Sequence, residues 1–433
     1  MKYFIVLCLC TNSLFLYGQS TIENQMISAI DKRTPKAIAL LKEVVNINSG
    51  TMNFKGVKKV GEIFMEQLKV IGFETRWIDG KEFNRAGHLS AIHKAAKGPR
   101  FLLIGHLDTV FDEKSPFQTY KMLNDSILQG PGASDMKGGD VIIILAMQAL
   151  ADADLLKDLN IEIIMSGDEE SSGYPLSLSK KELIAAGKRA DIALGYEDGD
   201  GLSTTAVVNR RGSSDWTLNV QGNAAHSSQI FTKEVGVGAI YELSRILNDF
   251  YLSLSKEEDL SISPGLIVGG DRLTYDSSQC SGNAIGKNNI VSQSAIAKGD
   301  LRTISITQLN KAKKIMKEIV KNNYPQTMAT ISFGENAYPP MSRNEGNIKL
   351  LNYYDQVSLN LGFGPITEVN PRKAGAADIS FVNEFMLMAL DGIGLSGNGG
   401  HTENETANLN YLSIEAKRTA ILMYRIMNGQ YKY

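Results

Sequence analysis

The chain has 433 residues, 43% of them hydrophobic and 21% charged, with a net charge of −2. That length suits about two domains, and the composition is that of a soluble globular protein. Near-neutral charge and the lack of any long Lys/Arg run exclude a polyanion-binding surface, so nucleic acid is not an expected partner.

Met1–Ser20 carries Lys2, a short apolar body and Gly18 near its end, the layout of a signal peptide over residues 1–18. Thr11, Asn12 and Ser13 interrupt the apolar run, which falls short of the roughly 20 residues a membrane span needs. Export to the periplasm or beyond the cell is therefore expected, without a membrane anchor. Cys8 and Cys10 leave with this segment. Cys280 alone remains, so no intramolecular disulfide can form.

Helical spacing of apolar residues marks Thr21–Asn48 and Val57–Ile71, the second stopped by Gly72. Phe73–Trp77 and His88–His93 read as strands. His88 and His93 lie five apart and face opposite sides, so both are assigned structural or surface roles. Phe101–Gly105 is an apolar run fit for a buried strand. Beyond it His106 and Asp108 share one face, which suits a metal-bound imidazole with an orienting carboxylate. Alone, this stretch reads equally as a core histidine beside a solvated aspartate.

Gly130–Asp140 (GPGASDMKGGD) lacks the GK[ST] ending of a phosphate loop and reads as a tight loop presenting Asp135. The helix Val141–Leu150 follows. Strand Ile161–Met165 leads to the acidic loop Ser166–Glu170, and Ile192–Leu194 leads to Glu197 and Asp198. Repetition of strand, acidic loop and helix predicts an α/β fold with a mostly parallel sheet, whose ligands gather at the carboxyl ends of the strands.

The pattern changes near Arg210. Strands Ser213–Val220, Ile290–Thr303 and Met328–Phe333 alternate with helices Val235–Leu254 and Leu309–Val320. These predict an inserted α+β domain over 211–335, dividing a catalytic domain into 19–210 and 336–433. Helix Ile348–Leu361, loop Ala374–Asp378, strand Met386–Leu390, loop Ser396–His401 and helix Ser413–Met427 complete the chain.

His106, Asp135, Glu170, Glu197 and His401 each lie on a loop after an apolar segment. This nitrogen and oxygen set suits two zinc ions, or cobalt or manganese, about 3.5–4 Å apart with a shared carboxylate. Adjacent Glu169 and Glu170 can diverge, one binding metal while the other moves protons. On its own the pair reads as a solvated helix start. A structural zinc site is disfavoured, because such sites prefer cysteine.

HLDTVF, GPGASDMKGG, MSGDEESSG, GYED and GNGGHTENE, in that order, resemble the signature of the co-catalytic zinc peptidases. That family includes glutamate carboxypeptidase, aminoacylase-1, succinyl-diaminopimelate desuccinylase and the aminotripeptidases. The resemblance implies a metal-bearing α/β catalytic domain with an inserted lid. By motif, His106, Asp135 and Glu170 resemble the ligands of one zinc. Asp135, Glu197 and His401 resemble those of the other, with Asp135 as bridge. Asp108 resembles the carboxylate that orients His106, and Glu169 the general base. In the lid, His226 (VQGNAAHSS) resembles a histidine that reaches the scissile carbonyl. Asn289 (KNNIVSQS) and Arg302 (KGDLRT) resemble residues that bind the substrate's polar groups and carboxylate. Arg302 also reads as an ordinary strand-surface arginine. The Gly375 loop, Ala374–Asp378, stands where the family often has Gly-Gly-Thr-Asp, a substrate contact. Val291-Ser292 stands where Ile-Pro is common. Both departures touch substrate contacts and spare the metals.

The resemblance thus implies a dinuclear zinc exopeptidase nearest the glutamate carboxypeptidase branch, acting on a small peptide. A deacylase of N-acyl amino acids is the nearest rival. A non-catalytic metal- or substrate-binding protein is a second, disfavoured by an intact Glu169. The resemblance also implies a homodimer through the lid helix Val235–Leu254.

Overall fold

The computed structural model describes residues 19–277, 279–335 and 337–433, so the expected signal peptide lies outside the described residues. Helix α1 (Thr21–Val45) opens on a capping box: the Glu23 N–H donates to Ser20 Oγ, and the Ser20 N–H donates to the Glu23 carboxylate. Its apolar stripe, Met26, Ile30, Leu41 and Val44, is buried. Helix α2 (Phe54–Val70) buries Val57, Val60, Phe64 and Leu68 in the same manner.

The first sheet takes strands β1 (Glu74–Asp79), β2 (Gly87–His93) and β3 (Arg100–His106), then helix α3 (Lys137–Asp152) intervenes before β4 (Asn160–Ser166) and β5 (Ile192–Gly195). In β3, Phe101 and Leu103 enter one core while Leu102 and Ile104 enter another on the opposite face. Both faces are therefore covered, and each buried side chain contributes about 1.5–3 kcal/mol.

A second sheet follows: β6 (Gly212–Gly222), helix α4 (Gly238–Leu254), β7 (Ser261–Gly270), β8 (Ser294–Thr303), helix α5 (Ile306–Lys321) and β9 (Thr327–Phe333). Its antiparallel order is β7-β8-β6-β9. Trp216, Leu218 and Val220 alternate inward along β6 and meet Ile246 and Phe250 of α4 and Met316 of α5 in a core of their own. The predicted single strand Ile290–Thr303 is broken. Ile290–Val291 pairs instead with Ala225–His226. At the break, the Ser292 carbonyl accepts the Ala239 N–H and its hydroxyl accepts the Ile240 N–H, both at 2.9 Å. Those bonds satisfy the open first turn of α4, which outweighs continuing the strand.

Helix α6 (Glu345–Asn360) leads back to the first sheet, where β10 (Met388–Leu390) pairs parallel to β5. The completed order is β1-β2-β4-β3-β5-β10, antiparallel only at β1/β2 and β2/β4. This is the mixed α/β fold with a mostly parallel sheet that the sequence predicts. The closing helix α7 (Asn410–Met427) packs with α1 and α3, and its Arg425 Nε donates to the buried Glu23 carboxylate at 2.7 Å. Among the described residues no helix is long and apolar enough to cross a membrane.

Candidate active site

Five loops deliver the cluster at the carboxyl ends of the parallel strands. His106 ends β3; Glu169 and Glu170 follow β4; Glu197 and Asp198 follow β5; Asp135 precedes α3; His401 follows β10. His401 has φ 61°, the left-handed region, where non-glycine residues concentrate at functional sites. Gly139 lets α3 close on the end of β5, since a Cβ there would meet the Tyr196 carbonyl at 2.0 Å. The glycine-rich stretch thus serves close packing.

Asp135 sits between the two imidazoles. Its Oδ1 is 3.1 Å from His106 Nε2 and its Oδ2 is 3.0 Å from His401 Nε2. His106 Nε2 also approaches Glu197 at 3.4 Å, whereas His401 Nε2 approaches Glu170 at 3.0 Å. These contacts exchange Glu170 and Glu197 relative to the grouping implied by the resemblance. The geometry explains it: Glu197 lies two residues past β5, beside His106, while Glu170 lies four past β4 and crosses to His401. The sets still overlap, for ligand atoms of His106, Asp135 and Glu170 lie within 4.8 Å of one another, as do those of His106, Glu169 and Glu197.

Burial opposes charge on every member. The Glu197 charge and hydrogen bonds to Asp108, Asp135 and Glu197 outweigh it at His106, which is held well above the usual imidazole range. Hydrogen bonds to Asp135 and Glu170 push His401 up to about 11. Asp135 is held below the carboxylate range despite burial, because both imidazoles donate to it. Burial lifts Glu170 to about 7. Burial and neighbouring carboxylates also raise Glu169, Glu197 and Asp198. The cluster thus draws protons onto its imidazoles to offset crowded negative charge. Divalent ions would supply that charge and leave the imidazoles free as neutral ligands, so the residues fit such ions.

The Asp108 carboxylate lies 3.5 Å from His106 Nδ1, but the Asp108 carbonyl is the nearer neighbour at 3.0 Å. Besides that contact with His106, its carboxylate accepts from the Thr51 hydroxyl and from the backbone N–H groups of Glu169 and Glu170.

Several supporting residues escaped the sequence reading. Glu405 accepts the N–H groups of Gly132, Ser134 and Asp135, fixing the Asp135 loop. It stands four residues after His401 inside HTENE, a signal that could have been followed. Fully buried Lys180 bridges Asp168 at 3.1 Å and Asp378 at 2.9 Å. Nothing in LSKKEL sets it apart from Lys181. Arg210 pairs with Asp391 at 2.6 Å and donates to the Gly375 carbonyl at 3.1 Å, tying that loop to the cluster's border.

The structure brings His226 and Asn289 together, Asn289 Nδ2 lying 3.5 Å from His226 Nε2. Among the described residues neither makes a hydrogen bond to the cluster. His226 is exposed and its Nδ1 meets the Ser228 hydroxyl at 2.8 Å. Arg302 pairs with Asp300 at 2.6 Å. His88 and His93 are indeed apart: His88 is buried between Gly167 and Ser179, and His93 meets the Leu159 carbonyl.

A mostly parallel α/β sheet with imidazoles and carboxylates converging at its carboxyl edge defines a hydrolase of the metallopeptidase type. The chain belongs to peptidase family M20/M25/M40, which matches residues 102–425. It is 23% identical over 390 residues to carboxypeptidase G2 of Pseudomonas sp. (strain RS-16), spanning 88% of this chain and 86% of that one. A probable succinyl-diaminopimelate desuccinylase of Staphylococcus epidermidis is 29% identical over 224 residues, 51% of each chain. Aminopeptidase PepT of Bacillus cereus shares the fold with a TM-score of 0.70 at 17% identity, covering 91% of this chain and 98% of its own. The dinuclear metal binding peptidase YXEP of Bacillus subtilis gives a TM-score of 0.61 at 13% identity, covering 92% and 99%.

Proposed function

We propose that the chain is an exported exopeptidase that holds two zinc ions and releases a C-terminal amino acid from a small peptide or related amide. The observation that carries this is the divergence of Glu169 and Glu170 from one turn. Glu170 meets His401, while the Glu169 carboxylate faces His106 and Glu197 without a hydrogen bond of its own among the described residues. Likeness to carboxypeptidase G2 along most of both chains supports the carboxypeptidase branch.

In this reading His106, Asp135 and Glu197 hold one ion and His401, Asp135 and Glu170 the other. Such ions, when bound, would supply acidified water and polarise a carbonyl. Glu169 takes the proton of the attacking water and delivers it to the departing amine. Residues 211–335 form the lid, which pairs two copies of the chain through its helix α4, and carry His226 to steady the developing oxyanion and Asn289 and Arg302 to hold substrate.

The test is a panel of peptides with free and blocked C-termini and N-acyl amino acids, assayed for amino acid release by the zinc-loaded protein. Release that needs a free carboxylate and stops with chelator supports the proposal; Glu169→Gln should lower kcat about 10²–10⁴-fold with metal content unchanged. Loss of metal in Glu169→Gln, or full turnover, would overturn the base assignment. Release from N-acyl amino acids alone would establish the deacylase reading instead.

A further inference from the structure

Two backbone segments join the second sheet to the first. They run side by side: Arg210 and Met341 exchange N–H···O bonds at 3.1 Å, and the Ser213 N–H donates to the Tyr338 carbonyl at 3.0 Å. Tyr338 therefore belongs to the neck between the two sheets. Its side chain reaches away from the neck to the turn after β4. The phenol donates to the Glu169 carbonyl at 3.1 Å, which leaves the Ser172 hydroxyl to donate to the phenol oxygen at 2.8 Å. The ring is fixed edge-on against Phe381 at 4.8 Å and lies 5.6 Å from Lys180 Nζ. A second tie runs parallel, from the Tyr174 hydroxyl to Glu335 at 2.6 Å. On the other side Arg85 grips the Ser171 and Ser172 carbonyls at 2.7 and 3.0 Å.

We propose that Tyr338 is a positioning residue that latches the neck to the Glu169 turn, so that the angle of the second sheet sets where the Glu169 carboxylate points. This rests on Glu169 acting as the base. The Glu169 backbone is held on both sides of its Cα, its N–H by Asp108 from the loop after β3 and its carbonyl by Tyr338 from the neck. Only the second of these bonds can change when the neck flexes. A base must reach its proton within hydrogen-bonding distance, so a small rotation of the turn alters turnover before it alters binding.

The experiment is a double-mutant cycle on the full chain loaded with zinc. Tyr338→Phe keeps the ring contacts and removes the hydroxyl alone. It should lower kcat about ten-fold with KM and metal content unchanged, and lower the residual kcat of Glu169→Gln by less than about two-fold. Amides of residues 171–174 should exchange faster in Tyr338→Phe. A wild-type kcat, or an equal loss on the Glu169→Gln background, would overturn the latch. Full activity in Glu169→Gln would instead overturn the underlying reading. Should Tyr338→Phe fail to fold, the exposed Tyr174→Phe breaks the parallel tie; about a three-fold loss that vanishes with Glu169→Gln supports the latch, and no loss overturns it.

Discussion

Asp108 Oδ1 accepts the backbone N–H of Glu169 at 3.1 Å, across 61 residues of chain. Its Oδ2 accepts the Glu170 N–H at 3.2 Å and the Thr51 hydroxyl at 2.6 Å. One buried carboxylate thus sets the backbone from which the two neighbouring glutamates diverge, while its own carbonyl faces His106 Nδ1. Orientation of the imidazole and of the acidic turn comes from a single residue.

Asp108→Asn tests that dual grip. The amide nitrogen replaces one carboxylate oxygen, so either Glu169 or Glu170 faces a donor with its own N–H. An N–H stranded in this way costs about 1–3 kcal/mol. Metal affinity should fall about 10–100-fold, the usual effect of disturbing the partners of ligands. Calorimetric metal titration checks it, and wild-type affinity would show that the turn is held by other bonds.

Glu405 does for Asp135 what Asp108 does for the glutamates. Burial, and after it the Asp135 charge, pushes its carboxyl up to about 7 in the metal-free protein. Glu405→Gln mimics the protonated form but turns an amide nitrogen toward one of three backbone donors. The variant should bind metal about ten-fold more weakly. Its deficit should be smaller below pH 7, where the wild-type carboxyl is itself protonated, and larger above. Metal affinity measured at about pH 6 and about pH 8 decides this; a pH-independent deficit would count against the raised carboxyl.

Ligand-type residues were legible where they close apolar strands: His106, Glu170 and Glu197 each follow a run whose burial is written in its side chains, while Asp135 was marked by the glycine-rich loop before the apolar helix α3. The sheet was legible for the same reason. The edge strand β7 and the hairpin Arg272–Asp276/Ser281–Ile285 were not, since their residues are mostly exposed or half-buried and show no clean alternation. The exchange of Glu170 and Glu197 between imidazoles was also out of reach. It depends on how far each glutamate travels beyond its strand, and sequence spacing does not show which way a turn folds. Tyr338 and Lys180 act through contacts more than 150 residues away or between two acids, and neither carries a local pattern.

His88 gives the clearest pH dependence. It is buried, its ring stacked on Phe83 at 5.1 Å, and its Nδ1 accepts the Gly167 N–H at 3.1 Å while Nε2 donates to the Ser179 carbonyl at 2.9 Å. The ring is therefore neutral, with its proton on Nε2, and a second proton on Nδ1 would break the bond from Gly167. Burial depresses its pKa below 6.5; the Asp168 and Asp378 charges pull the other way and Lys180 reinforces burial. Above pH 6.5 both folded and unfolded states hold the ring neutral, and the stabilisation is complete. As pH falls below 6.5 the unfolded chain takes up a proton that the folded chain refuses, so stability declines until the folded pKa is reached. His88→Gln should cost about 1–3 kcal/mol at pH 8, through the lost stacking and disturbed bonds. It should also lose this share of the acid slope. Thermal midpoints of wild type and variant between about pH 5 and about pH 8 should therefore converge on acidification. Parallel curves would mean that His88 is protonated in the folded protein, with Gly167 released.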